Sequence, residues 1–330
     1  RTTNRDEGMS PQETMDGRQT RTDGGEDQPA VDDEGDDHQP FEPTWTTGAK
    51  QGVGTVADHH TDDPSRVWFT LTDGALTEPR FPRIDLLNAR HIGFVVTDGE
   101  GYVARTHSPP GEEDSLDRTV EPTAADALTF RQTVTETAAE HDWTLTVEHV
   151  ADPSRDVLLL DVRFEADAPL DCHVVATPTP SGRAEHTVAE LRAVADGEST
   201  NYAVTAADTG ADGIVTQDAD GEPVVVALAL AADGGFEEVA VAESTAPGMQ
   251  AFLETGALPT DATAAEGVLT LVGQLASEAE SASRTVALGF ATDGDADAAL
   301  RTAGDALDDG YETAHAGYVD SWREYLAPVD

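Results

Sequence analysis

Three acids at alternating positions, Asp293, Asp295 and Asp297 in "DGDAD", begin the way a calcium-binding loop begins. A full EF-hand loop needs Gly at its sixth position and a bidentate Glu at its twelfth. Those places hold Ala298 and Gly304. A helix start fits better, with the acids capping free N–H groups and opposing the helix dipole. "DADG" at 218–221 reads as a turn. His59 and His60 adjoin in the acid-rich "VADHHTDDP", but no spaced partner of the HExxH kind supports a metal site, so a solvated loop is expected. No nucleophile elbow, Walker loop or dinucleotide fingerprint occurs in a suitable element. Epimerase-type chemistry wants a positioned His and a carboxylate as acid and base. His107, His149 and His173 are candidates with no motif behind them. Glycoside hydrolysis needs two carboxylates about 5 to 10 Å apart. Among 65 acidic residues the sequence singles out no pair. No catalytic residue, metal or cofactor is assigned.

The most concentrated polar signal is "VWFTLTDGALTEPRFPRID" at 67–85. Asp73-Gly74 between alternating runs predicts a two-residue hairpin. Pro79 cannot donate to a ladder, so the return strand is expected at a sheet edge, or to end there. Pro82 then stops it. Glu78, Arg80, Arg83 and Asp85 therefore fall together on an irregular rim, with Arg90 close behind. Arginine forks suit bidentate pairing with carboxylates. The simplest reading is two ion pairs that pin the rim. The functional reading is a polar edge facing a sugar or a neighbouring domain.

The totals exclude several classes. Lys and Arg number 19 against the 65 acids, giving a net charge of −46, with Lys50 the single lysine. Phosphate binding needs clustered cations, which argues against nucleic acid and against anionic membranes. At about 1 M salt the Debye length is roughly 3 Å, so such a surface suits a high-salt medium. Cys172 alone excludes an internal disulfide framework; in "LDCHVV" it reads as a small buried side chain of a strand. No apolar run reaches the length of a membrane helix. No signal peptide is visible, which favours the cytoplasm, although the sequence starts with Arg rather than Met.

The elements that must position these groups are mostly strands. Residues 1–43 are polar and acid-rich and read as a disordered tail. From Trp45 the pattern changes. Val67, Phe69 and Leu71 alternate with polar neighbours, as do Trp143, Leu145, Val147 and His149, which is the period of half-buried strands. "DVLLLDVRF" and "PVVVALALAA" are continuously apolar, as strands covered on both faces are. Separate strands are also expected at "EGVLTLVGQL" and "RTVALGFAT". Asp-Gly pairs at 73, 98, 196, 212 and 220 punctuate the series. The expected fold is all-β, a large antiparallel sandwich over 44–292. From 293 the period becomes helical: Ala296, Leu300, Ala303, Leu307, Tyr311, Ala314, Tyr318, Trp322 and Tyr325 lie on one face. One long helix over about 295–326 would span roughly 45 Å. Its large aromatics, Tyr311, Tyr318, Trp322 and Tyr325, need a cover.

"TWTTGAKQGVGT" followed by "SRVWFTLTDGALTEPRFPRID" resembles the amino-terminal domain of prokaryotic glucoamylases and glucodextranases, the family-15 glycoside hydrolases. Trp45, Gly52, Gly54, Trp68, Gly74, Leu76, Glu78, Pro82 and Asp85 occupy the places of that family's pattern. "EGVLTLVGQL" and the stretch from "SRTVALGFATD" to "DSWREYL" resemble its later strands and linking helix; "PGMQAFL" departs from the signature found in its middle. The resemblance implies a galactose-mutarotase-like supersandwich without catalytic residues. It implies an (α/α)6 catalytic barrel as partner, in cis or from a neighbouring chain, and an activity on α-glucan oligosaccharides. The linker helix of 293–330 would lead to that barrel, and the rim and helix aromatics would face the junction. The alternative function is a free-standing carbohydrate-binding module.

Overall fold

The computed structural model describes residues 49–57, 64–108, 114–137, 139–182, 187–193, 200–206, 224–259 and 265–327. Trp45, the tail expected over 1–43, His59, His60 and the turn at 218–221 lie outside these residues.

Alternation becomes ladder wherever it was seen. β1 (Gly52–Thr55), β2 (Trp68–Thr72), β3 (Ala75–Arg80) and β4 (Ala89–Thr97) pair antiparallel in order, with β5 (Val103–Arg105) on β4. β6 (Asp117–Pro122), β7 (Phe130–Glu136) and β8 (Trp143–Ala151) form a second meander. β10 (Thr187–Ala193), β11 (Thr200–Ala206), β12 (Val226–Ala232), β13 (Val239–Glu243) and β14 (Ala265–Gly267) complete the smaller strands.

Two strands are far longer than the sequence pattern predicts. β9 runs Val157–Pro178, 22 residues, and β15 runs Leu269–Thr292, 24 residues. They pair antiparallel along most of their length, with register shifts between Gln274 and Ser281. The first half of β9 pairs β8 and the second half pairs β4; the first half of β15 pairs β13 and the second half pairs β12. One continuous ladder thus folds over on itself into two layers. The polar middles, "EADAP" of β9 and "SEAESAS" of β15, are largely exposed where the ladder crosses between layers. They are bends inside strands, where bulges let a strand turn without ending.

The inward faces of both layers form one core. Val67, Phe69 and Leu71 are buried together with Trp143, Leu145, Val147 and His149. Phe81 stacks on Phe290 at 5.3 Å. The Gln132 amide of β7 donates across the sandwich to the carbonyls of Thr72 and Ala75 at 2.7 and 3.1 Å. The β2–β3 hairpin needs Gly74, whose φ is 74°; a Cβ there would lie 1.7 Å from the Thr106 carbonyl oxygen.

The helical segment is two helices rather than one. α2 spans Ala296–Asp309 and α3 spans Tyr311–Leu326, with Gly310 between them at φ 83°, ψ 154°. That glycine conformation cannot continue an α-helix. Asp295 caps α2 by accepting from the Ala298 N–H at 2.8 Å, so the "DGDAD" acids serve a helix start. α2 lies close on β12 and β15: a Cβ on Gly289 would meet the Ala299 carbonyl oxygen at 2.4 Å. "PGMQAFL" opens a short helix, α1 (Pro247–Thr255), whose Met249 and Phe252 bury against Val95, Val175, Ala240 and Val272 on the outer face of the β4 layer.

Candidate functional site

The rim after β3 is built around a bulge. Trp68 of β2 faces Arg80 and Thr70 faces Thr77, so β3 carries one extra residue. Glu78 takes up the excess at φ 53°. This corrects the edge-strand expectation for Pro79. β3 lies between β2 and β4 and is buried throughout; the bulge, not an edge, accommodates a residue that has no N–H to give. Asn88 supports the return, its amide donating to the carbonyls of Phe81 and Leu86 at 2.7 and 3.1 Å.

Two ion pairs pin this rim. Arg80 and Glu78 are both buried and meet at 3.0 Å. Glu78 also receives Lys50 at 2.9 Å, and Arg80 donates to the Ile84 carbonyl at 3.1 Å. A buried pair with such secondary bonds orders a segment more than it stabilises it. Arg83 and Asp85 form an exposed fork, with N–O distances of 3.0 and 2.5 Å. The hydrogen bonds from Arg83 hold the Asp85 carboxyl below its ordinary range. Ile84, between them, is 59% exposed. Arg90 lies at the start of β4.

A backbone row joins the rim to α3. Thr55 pairs Trp68, Trp68 pairs Arg80, and Arg80 bridges Leu87. The Thr55 carbonyl accepts from the Tyr318 hydroxyl at 2.7 Å and from the Trp322 indole N–H at 3.1 Å. Tyr318 also donates to the Leu128 carbonyl at 3.2 Å, and Arg323 reaches Asp126 at 2.8 Å. Burial raises the Tyr318 and Tyr311 hydroxyls far above their ordinary pKa, so both stay protonated donors. Tyr311 and Tyr318 are thus covered by the chain's own sandwich. Trp322 is half-buried, with Tyr325 edge-on to it at 5.6 Å and still exposed. The structure therefore sets Trp68 and Arg80 on one backbone row with Thr55, joins Glu78 to Arg80 and Arg83 to Asp85 at the rim, and places Tyr318 and Trp322, with Tyr325 beside Trp322, at the Thr55 end of the row. Tyr311 sits further back, at the start of α3. Thr55, whose carbonyl ties the parts, showed in the sequence only as the last residue of the Gly-Val-Gly-Thr run, and Lys50 as the one lysine, two residues before it.

The three histidines do not form an acid–base centre. His149 lies in the core with its Nε2 2.8 Å from Gln132 Oε1, and burial lowers its pKa to about 3. His173 is buried under α1, edge-on to Phe252 at 5.4 Å, and burial lowers it to about 4. His107 lines a cleft beside His91. Asp161, paired with Arg163 at 2.7 Å, and Asp233, paired with Arg284 at 3.0 Å, sit above their ordinary range, both chiefly through burial. Each is held by its arginine at a different place on the sandwich. Among the described residues no three of His, Cys, Asp and Glu are grouped to hold a metal ion.

These features define a large antiparallel supersandwich with a docked helical tail, a body that presents a surface. The family model described as glucodextranase, domain N, matches residues 39–327, and the chain belongs to that family. It is 33% identical over 125 residues to a glucoamylase of Clostridium sp. (strain G0005), a match covering 38% of this chain and 16% of the relative. Its fold matches a crystal structure of a bacterial glucoamylase complexed with acarbose, with a TM-score of 0.68 and 22% identity, over 87% of this chain and 38% of that one. The chain thus spans well under half the length of either relative.

Proposed function

We propose that this chain is the non-catalytic companion domain of an α-glucan hydrolase of the glucoamylase or glucodextranase type. Its role is to seat and shape a catalytic (α/α)6 barrel, in cis or on a neighbouring chain. Family membership supports the class. One observation supports the seat. The large apolar side chains left exposed among the described residues are Val53, Ile84, Tyr325 and Leu326. They lie on β1, the rim and the last turn of α3, the elements that meet at the Thr55 row. A contiguous apolar patch rimmed by polar groups marks a contact surface, and we take these four side chains to form one such face. The Glu78–Arg80 pair and Tyr318 hold that surface in shape. The net charge of −46 supports service in concentrated salt, where self-repulsion is screened.

The test uses the complete enzyme. Ile84→Asp with Tyr325→Ala is expected to lower hydrolysis of maltooligosaccharides and the melting temperature of the catalytic domain, while the isolated chain melts as before. Unchanged activity and stability of the complete enzyme would refute the seat. Calorimetry of the isolated chain with maltooligosaccharides separates this reading from a carbohydrate-binding module. The companion role expects weak or no heat of binding; saturable binding of the isolated chain would favour the module.

A further inference from the structure

We infer that the outer face of the β4 layer holds a binding cleft for a small organic anion, one presenting a carboxylate or phosphate group. The cleft has a volume of about 360 Å³ and lies among β4, β5, β9, β15 and α1. Arg90 and His91 enter it from β4, Arg105 from β5, and His107 from the turn beyond; Thr177 of β9 and Thr270 of β15 add hydroxyls. The His91 and His107 rings lie 5.2 Å apart, and Thr177 Oγ1 is 3.4 Å from His91 Nε2.

Charge selects the ligand class. Among the described residues that line the cleft there is no Asp or Glu, in a chain with 65 of them. Two guanidinium groups converge there instead, each held by interactions within the chain. Guanidinium groups only donate hydrogen bonds, and their forks match carboxylate and phosphate oxygens. A neutral sugar needs acceptors for its hydroxyl protons, and carboxylates are the usual ones; here the described lining supplies only hydroxyls and imidazoles. Concave walls concentrate the field of the few cations they carry, and the size suits a ligand of roughly sugar-acid dimensions. Burial, with each histidine's cationic neighbours, keeps both pKa values below the ordinary value, His91 at about 4. Both rings are then neutral at pH 7; His107 is hydrogen-bonded to the Asp73 backbone and His91 Nε2 lies against Thr177 Oγ1, so each keeps one ring nitrogen for a ligand. The cleft shares none of its described lining residues with the proposed barrel seat at the Thr55 row, and Lys50, which pairs with Glu78, lies within electrostatic reach of His107.

The full chain, labelled in its histidine ring carbons, is titrated at pH 7 and constant chloride with inorganic phosphate, glucuronate and glucose. We expect saturable shifts of the His91 and His107 signals with phosphate, glucuronate or both, and none with glucose. Response to one anion alone tells phosphate from carboxylate recognition. Arg105→Gln and Arg90→Gln should each weaken binding about tenfold or more, read in variants whose ligand-free melt is still cooperative. Thr270→Val supplies a milder variant should an arginine replacement unfold the chain, and should weaken binding by a few-fold. Glucose saturating the same signals would overturn the inference. So would the absence of saturation by either anion up to about 50 mM, or wild-type affinity in the variants.

Discussion

Lowering the pH from 7 to 5 in concentrated salt is expected to remove about 6 kcal/mol of folding stability, about 4 through His149 and His173 in the core and about 2 more through His91, which burial also holds at a pKa of about 4. His149 and His173 are each 1% exposed, and burial holds them at about 3 and 4. In the unfolded chain all three return to about 6.5. The unfolded state therefore binds protons that the native state refuses. Stability is full above about 6.5, falls as the pH drops below it, and levels off near the folded values. At pH 5 the unfolded chain gains about 2 kcal/mol from each imidazole. That is a large fraction of the usual 5 to 15 kcal/mol of a domain. Carboxylates are mostly still ionised at pH 5, and about 2 M NaCl suppresses their mutual repulsion. Urea unfolding followed by tryptophan fluorescence at pH 7, 6 and 5 gives the curve. His173→Leu should show about two-thirds of the drop, because leucine fits the apolar setting of Met249 and Phe252 and does not titrate. A wild-type loss below about 1 kcal/mol, or an undiminished loss in His173→Leu, would refute the reasoning.

Tyr318→Phe leaves the Thr55 carbonyl with Trp322 alone and the Leu128 carbonyl without this donor. The expected cost is about 1–2 kcal/mol, read as a fall of a few degrees in melting temperature. Arg80→Leu removes the buried partner that meets Glu78 at 3.0 Å; about 3 kcal/mol should be lost. Adding Glu78→Gln should restore at least half of that in denaturant melts. Gly289→Val places a side chain against the Ala299 carbonyl and Ala303; it should cost about 3 kcal/mol or more and speed hydrogen exchange across α2.

Strands were legible where one face met water. The alternation at 67–71 and 143–149 reports which side chains turn inward, and those residues are buried. Continuity was illegible in β9 and β15. Their middles leave the core to cross between layers, so they acquire the polar composition of turns, with Pro169 in β9. The helix was legible in phase but not in its break, because Gly310 interrupts the backbone while Tyr311 still follows the apolar stripe. Pro79 misled because a bulge is a backbone solution without a sequence period. The rim ion pairs were legible from residue types two apart. The cleft was not, since Arg90, Arg105, Thr177 and Thr270 come from four strands that only pairing assembles.

The two long strands also govern how the domain comes into being. Val157 pairs with Gly289, and Ala176 with Leu271. During synthesis at about 5–20 residues per second, β9 must wait several seconds for its partner, its apolar edge meanwhile open to other chains. Neither layer can close before nearly the whole domain has left the ribosome, so birth of the protein is a single late event, and a break in translation before residue 269 yields no half-product with a finished layer.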